Sequence, residues 1–210
     1  MLFLDELPEF SRTACEALRQ PLEDGEVTVS RAMTSVRFPA RFALIAAANP
    51  CPCGHQGDSR FACRCSLYDL HRYASRLSGP LLDRIDLYVQ VERLTADELA
   101  GGDGGEPTEP VRSRVLAARR LQRARQGTEN GRLDAADLTT RCQVAAAARR
   151  TLMTAVDRLG LSARGFHRAL RVARTIADLA HSDRVEDHHV REALTLRQLP
   201  IIGDREAQLA

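Results

Sequence analysis

Residues 101–110 read GGDGGEPTEP, and no other stretch limits the possible folds as strongly. Glycine and proline at that density, with acids and no apolar side chain to bury, cannot contribute to a packed core. The chain must therefore divide around this point. Composition begins to turn after Leu94, which predicts an α/β domain over 1–95, a Gly/Pro-rich linker over 96–110 and a helical domain over 111–203. With 210 residues to share, both parts are small domains.

Upstream of the linker, continuous apolar runs alternate with turn signals. Leu2-Phe3-Leu4 ends in Asp5-Glu6, as expected of a buried strand that delivers carboxylates at its C-terminal edge. Ser11 to Arg19 is helical in pattern, and Pro21 and Gly25 then break it. Val27-Thr28-Val29 and Ser35 to Phe38 are the strands of a hairpin that turns around Ala32 to Thr34. Phe42 to Ala48 (FALIAAA) is a second buried strand, ending at Asn49-Pro50, and the alternation of Ile85 to Val91 predicts a third. Beyond the linker every periodic stretch is helical, over 111–126, 142–159, 163–181 and 186–197. The third is the clearest. Phe166, Ala169, Leu170, Ala173, Ile176, Ala177 and Ala180 share one face, and Ser162 stands at the N-cap position.

Composition excludes several classes. No run approaches the ~20 apolar residues of a membrane span. The opening MLFLDELPEF lacks the basic start of a signal peptide, so a cytoplasmic protein is expected. All 30 basic residues are arginine. A GxxxxGK[ST] phosphate loop needs its lysine, so the sequence contains none, and the chain alone should not bind ATP.

Four ordered features carry chemistry. LFLDE has the form of a Walker B strand, in which Asp5 orders Mg²⁺ and Glu6 polarises the attacking water. On its own that pattern is common. A second apolar strand then ends in Asn49, whose amide can orient water against a terminal phosphate. GPLLDRIDL, Gly79 to Leu87, sets Arg84 just before the third expected strand, where its bland role is an ion pair with Asp83 or Asp86. In the helical half, Arg164 falls in the first turn after Ser162.

The motifs NPCPCG, RCS, RYASRLSGPLLDRIDL and LSARGFHRALRVARTIADL closely resemble those of the magnesium-chelatase-like ComM/YifB family of AAA+ ATPases. The resemblance runs from Met1 to about Arg197. It implies a partial AAA+ P-loop NTPase core holding only the later strands, followed by an all-α lid. It also implies a homo-oligomeric, hexameric ring that binds ATP and Mg²⁺ between subunits and remodels DNA by branch migration or helicase action. Carried over by position, Asp5 and Glu6 are Walker B, Asn49 is sensor 1, Arg84 the arginine finger and Arg164 sensor 2, with Arg168 a second basic position in that motif. Family members carry a Walker A loop upstream, whereas Met1 falls inside the Walker B strand. The chain therefore reads as a fragment or remnant, with apolar strand edges exposed and poor solubility expected. Two other readings stand: a magnesium-chelatase ATPase subunit, and a non-catalytic truncated partner in a ring.

Six cysteines in a cytoplasmic chain argue against a disulfide framework. Cys15 and Cys142 read as small buried residues. Cys51, Cys53, Cys63 and Cys65 form two close pairs within an insertion over 50–66, and four thiolates can build a tetrahedral Zn²⁺ site. Free thiols are the alternative, and His55 and His71 are possible substitute ligands. In the hairpin, Arg31 and Arg37 either contact nucleic-acid phosphates or decorate a plain surface. The arginines from Arg112 to Arg125 form a solvated helix face or a second DNA contact.

Overall fold

The computed structural model describes residues 1–31, 34–77, 79–101 and 104–198. The chain forms two compact units, one running to Ile85 and the other spanning Asp86–Gln198.

The first unit opens with strand β1, Leu2–Leu4, and a 3-10 turn at Leu7–Glu9. Helices α1, Arg12–Ala17, and α2, Arg19–Asp24, follow almost without a break. Ser11 caps α1 by accepting the amide of Ala14. The pattern breaks at Leu18, between the helices, and Pro21 sits inside the first turn of α2, where a missing N–H costs nothing. Gly25 ends α2 at φ 70°, and a Cβ there would lie 2.8 Å from Arg41 Cγ, so the position demands glycine.

Strands β2, Glu26–Arg31, and β3, Thr34–Pro39, pair antiparallel, with Val29 opposite Val36 and Thr28 opposite Arg37. The expected hairpin is present, and residues 32 and 33 of its turn lie outside the described residues. Strand β4, Leu44–Ala46, pairs in parallel with β1: Leu2 with Leu44, Phe3 with Ile45, Leu4 with Ala46. Helix α3, Leu67–Ala74, begins from a capping box of Ser66 and Asp69, and α4, Gly79–Leu82, closes the unit. Leu7, Cys15, Leu77 and Leu81 form its apolar centre, with Leu4 packed against them.

Two strand expectations need correction. Phe3 and Ile45 sit opposite each other on the same side of the sheet and are 57% and 47% exposed, so β1 and β4 are covered on one face only. Residues 85–91 are not a strand. Among the described residues only β1–β4 and β2–β3 pair, so this segment has no ladder to join. Val89 and Val91 consequently stand exposed.

The second unit holds α5, Ala96–Gly101, α6, Thr108–Gln126, α7, Ala135–Arg141, α8, Ala146–Leu159, α9, Ala163–Leu179, and α10, Asp187–Thr195. Helix thus enters the 96–110 stretch from both sides; residues 102 and 103 are outside the described set, as are 199–203 at the far end. The helix expected over 142–159 is α8, shortened at its start, and α7 precedes it where no helix was expected. Gln143 adopts φ 46° and Val144 bridges to Val185, so α8 starts only at Ala146. Alanines of α8 and α9 pack with Leu138, Leu152, Leu170, Val185 and Val190 in the core of this unit, and Ser162 caps α9 through the Gly165 amide.

Candidate functional site

Parallel pairing of β1 with β4 has a direct consequence for chemistry. Both strands end at the same edge, so Asp5-Glu6 and Asn49 emerge side by side. They line one cleft with Ala47 and Ala48, of about 140 Å³. Its two walls are tied together by the Ala47 amide, which donates to Leu4 O at 2.9 Å, and the Leu7 amide, which donates to Ala47 O at 2.8 Å. Glu6 turns the chain at this edge with φ 50° and ψ 48°, a left-handed conformation that costs a non-glycine residue about 1–2 kcal/mol. Its amide is taken by Asp5 Oδ1 at 3.0 Å. Two carboxylates and an amide in one cleft are hard oxygen donors of the kind that suit Mg²⁺.

Directly after Asn49, the cysteine loop folds back on itself. The Sγ atoms of Cys51, Cys53 and Cys63 are 3.4, 3.6 and 3.7 Å apart, and all four, with Cys65, lie within 4.8 Å of one another. A disulfide needs ~2.05 Å. A tetrahedral zinc with bonds of ~2.3 Å has sulfur–sulfur edges of about 3.8 Å. The cluster therefore has the dimensions of a metal site and all its cysteines are free. Cys51 is fully buried and accepts the Gln56 amide at 3.3 Å. The Cys53 thiol is pulled down to about 6, first by the backbone amide of Arg64 and then by that of His55. His55 stands apart from the four thiols, with Nδ1 3.7 Å from Asp58 Oδ2.

Arg84 is held inside the first unit. Its guanidinium pairs with Glu23 of α2 and donates to Pro80 O at 2.6 Å, and the residue is 9% exposed. The sequence offered Asp83 or Asp86 for an ion pair, and the pair formed here runs to Glu23. Arg37 lies exposed on β3, while Arg31 ends β2. In the second unit, Arg164 is exposed in the first turn of α9, and Arg168 forms an ion pair with Asp86 at 2.5 Å.

The sequence motifs did not reveal several residues that shape these sites. Tyr73 donates its hydroxyl to Asn49 O at 3.0 Å, and Arg76 reaches Pro8 O at 3.2 Å and Glu9 at 2.6 Å. Burial raises the Tyr73 pKa, which keeps it a donor. Asp178 accepts from Arg125, Arg174 and Asn130 in a buried network of the second unit. An acid and a base four apart on the apolar face of α9 was the one available signal for it.

A parallel strand pair presenting two acids and an amide at one edge, with a helical unit whose α9 begins at Ser162 to Arg164, fits an AAA+ module of the magnesium-chelatase kind. The chain belongs to the magnesium chelatase family: residues 1–99 match its subunit ChlI and residues 105–197 the ChlI C-terminal region. It is similar to the competence protein ComM of Haemophilus influenzae, 44% identical over 200 residues that make up 95% of this chain and 39% of that protein. YifB of Escherichia coli is 41% identical over 201 residues, again 95% of this chain and 39% of the relative. A Mycobacterium tuberculosis protein is 44% identical over 202 residues, 94% of this chain and 40% of its own length. The chain thus spans about two-fifths of the relatives it matches. Among the described residues no helix is long and apolar enough to cross a membrane.

Proposed function

We propose that this chain supplies the hydrolytic part of the nucleotide site in an ATP-driven AAA+ ring, and that the assembled protein works on DNA in competence or recombination. The observation that carries this reading is the convergence of Asp5, Glu6 and Asn49 on one cleft. ATP with Mg²⁺ supplies the phosphoanhydride bond and the charge to be held. Asp5 would hold the metal and its waters, Glu6 would polarise the attacking water and the Asn49 amide would orient it. At about 140 Å³ the cleft admits only the metal and phosphate end, since pockets enclosing a whole ligand run to ~300–1,000 Å³. The remaining nucleotide contacts, a lysine among them, would come from another segment or subunit.

Similarity to ComM favours a competence role over a chelatase subunit. In a ring of identical subunits, Arg164 and Arg168 would sense the nucleotide, and Arg31 and Arg37 of the β2–β3 hairpin would contact DNA phosphates in a salt-sensitive, sequence-independent way. The cysteine cluster would hold a structural Zn²⁺. Arg84 has two readings. As an arginine finger it must exchange Glu23 and Pro80 for a neighbour's phosphate; its burial favours a role tying α4 to α2.

The test uses this chain fused behind the upstream segment of a ComM-type relative. Glu6→Gln should retain ATP binding and lose turnover ~10²–10⁴-fold, the usual contribution of a general base. Unchanged turnover would remove Glu6 from the mechanism. For Arg84→Ala, a finger predicts a loss of ~10³–10⁵ with unchanged melting, partly restored by mixing with the Glu6→Gln protein. The structural reading predicts a lowered melting temperature and no rescue.

A further inference from the structure

The loop between β4 and α3 carries one cysteine pair at each end. Cys51 lies two residues beyond Asn49, and Cys65 directly precedes Ser66, the N-cap of α3. A metal gripping both pairs therefore fixes the start of α3 against the end of β4. From α3 and its C-terminal turn, two side chains bond the segments that flank the acidic cleft, one on each side. Tyr73, 6% exposed, holds Asn49 O at 3.0 Å beyond β4. Arg76 holds Pro8 O and Glu9, just beyond Asp5-Glu6 and β1. Leu70, fully buried one turn before Tyr73, anchors the helix. The Arg76–Glu9 pair is exposed and contributes little, so Tyr73 carries most of the connection.

We infer that α3 couples metal occupancy at the cysteine cluster to the geometry of the acidic cleft, with Tyr73 and Arg76 as positioning residues. This rests on the metal and hydrolytic readings above. Without metal, contacts such as Gln56 N–H to Cys51 Sγ are weak restraints on the loop, α3 shifts against β4, and Asn49 loses its fixed place opposite Glu6. The competing picture is an independent metal lobe that folds and melts without effect on the cleft.

The Leu7 and Ala47 amides report on the cleft walls, since each is bonded across them. Their hydrogen exchange would be measured in the 210-residue chain, zinc-loaded and chelated, for the wild type and Tyr73→Phe. Loss of one hydrogen bond of ordinary strength corresponds to a roughly 2- to 10-fold change in an opening equilibrium. Zinc removal should speed exchange at both amides by at least that factor. Tyr73→Phe should do the same while still binding one zinc, and chelation should then add less than it does in the wild type. Arg76→Gln, an exposed change, gives a weaker effect in the same direction and covers the case in which Tyr73→Phe misfolds. Zinc that binds and leaves without altering Leu7 and Ala47, strictly additive effects, or free exchange of these amides in the zinc-loaded protein would each overturn the coupling alone. Protein that binds no zinc overturns the metal reading, and the coupling with it.

Discussion

His189 is 2% exposed, and its Nδ1 accepts the Glu186 amide at 3.0 Å to complete the cap of α10. Burial first, then the neighbouring His188 and Arg174, hold its pKa below the ordinary value. The unfolded chain therefore takes up this proton more readily than the folded one. The stability tied to the neutral ring is complete above about pH 6.5 and is lost as pH falls through that value towards the lower folded pKa. Protonation also turns Nδ1 into a donor and breaks the cap. Thermal midpoints should fall between pH 7 and pH 5, and His189→Gln, which retains an acceptor at the same helix position, should flatten that fall. Equal pH dependence in both proteins would count against the assignment. At this scale the sequence shows identity but not partnership. Arg84 was legible as a special arginine, yet its partner is Glu23, far upstream, where no local spacing could point.

At the scale of elements, α9 shows how a charged pair survives inside an apolar face. Arg174 and Asp178 are each 1% exposed. Arg174 also donates to the carbonyls of Asp183 and Ser182, which seal the turn after α9. Asp178 in turn answers Arg125 of α6 and Asn130, and holds its own pKa down despite burial. Asp178→Asn would leave two arginines facing an uncharged amide, so a loss of ~3–5 kcal/mol is expected in chemical denaturation. A change below about 1 kcal/mol would show that Arg125, which is partly exposed, relaxes into solvent. For the cysteine loop, elemental analysis of protein purified without added metal should give one zinc per chain. A content below ~0.2 per chain would sink the site, since structural zinc is held with ~10–16 kcal/mol at neutral pH. Caps at Ser66 and Asp134 gave no helix expectation for α3 and α7, whereas the start of α9 at Ser162 was readable. The break between α7 and α8 was not, because it depends on Val144 bridging to Val185.

For the whole molecule, the nucleotide is the test. The chain has no lysine and no phosphate loop, and its acidic cleft of about 140 Å³ is too small for a complete nucleotide. Isolated protein should show no appreciable ATP binding by titration calorimetry, and a micromolar dissociation constant would contradict this. Exposed Phe3, Ile45, Val89 and Val91 mark apolar surface that a larger assembly of this family would have reason to cover.

What the sequence determined by itself was everything carried by periodicity and local chemistry. That includes the division into an α/β part and a helical part, the hairpin, the cap at Ser162, and the grouping of four cysteines by spacing. Tertiary structure alone decided which distant residues meet. Parallel pairing of β1 with β4 put Asn49 beside Glu6, α3 and its C-terminal turn set Tyr73 and Arg76 on the segments flanking the cleft, and Ile85 to Val91 joined neither of the described sheets. The physical reason is that strands need partners that local sequence does not name. Helices satisfy their backbone hydrogen bonds within themselves, so their sequence largely suffices.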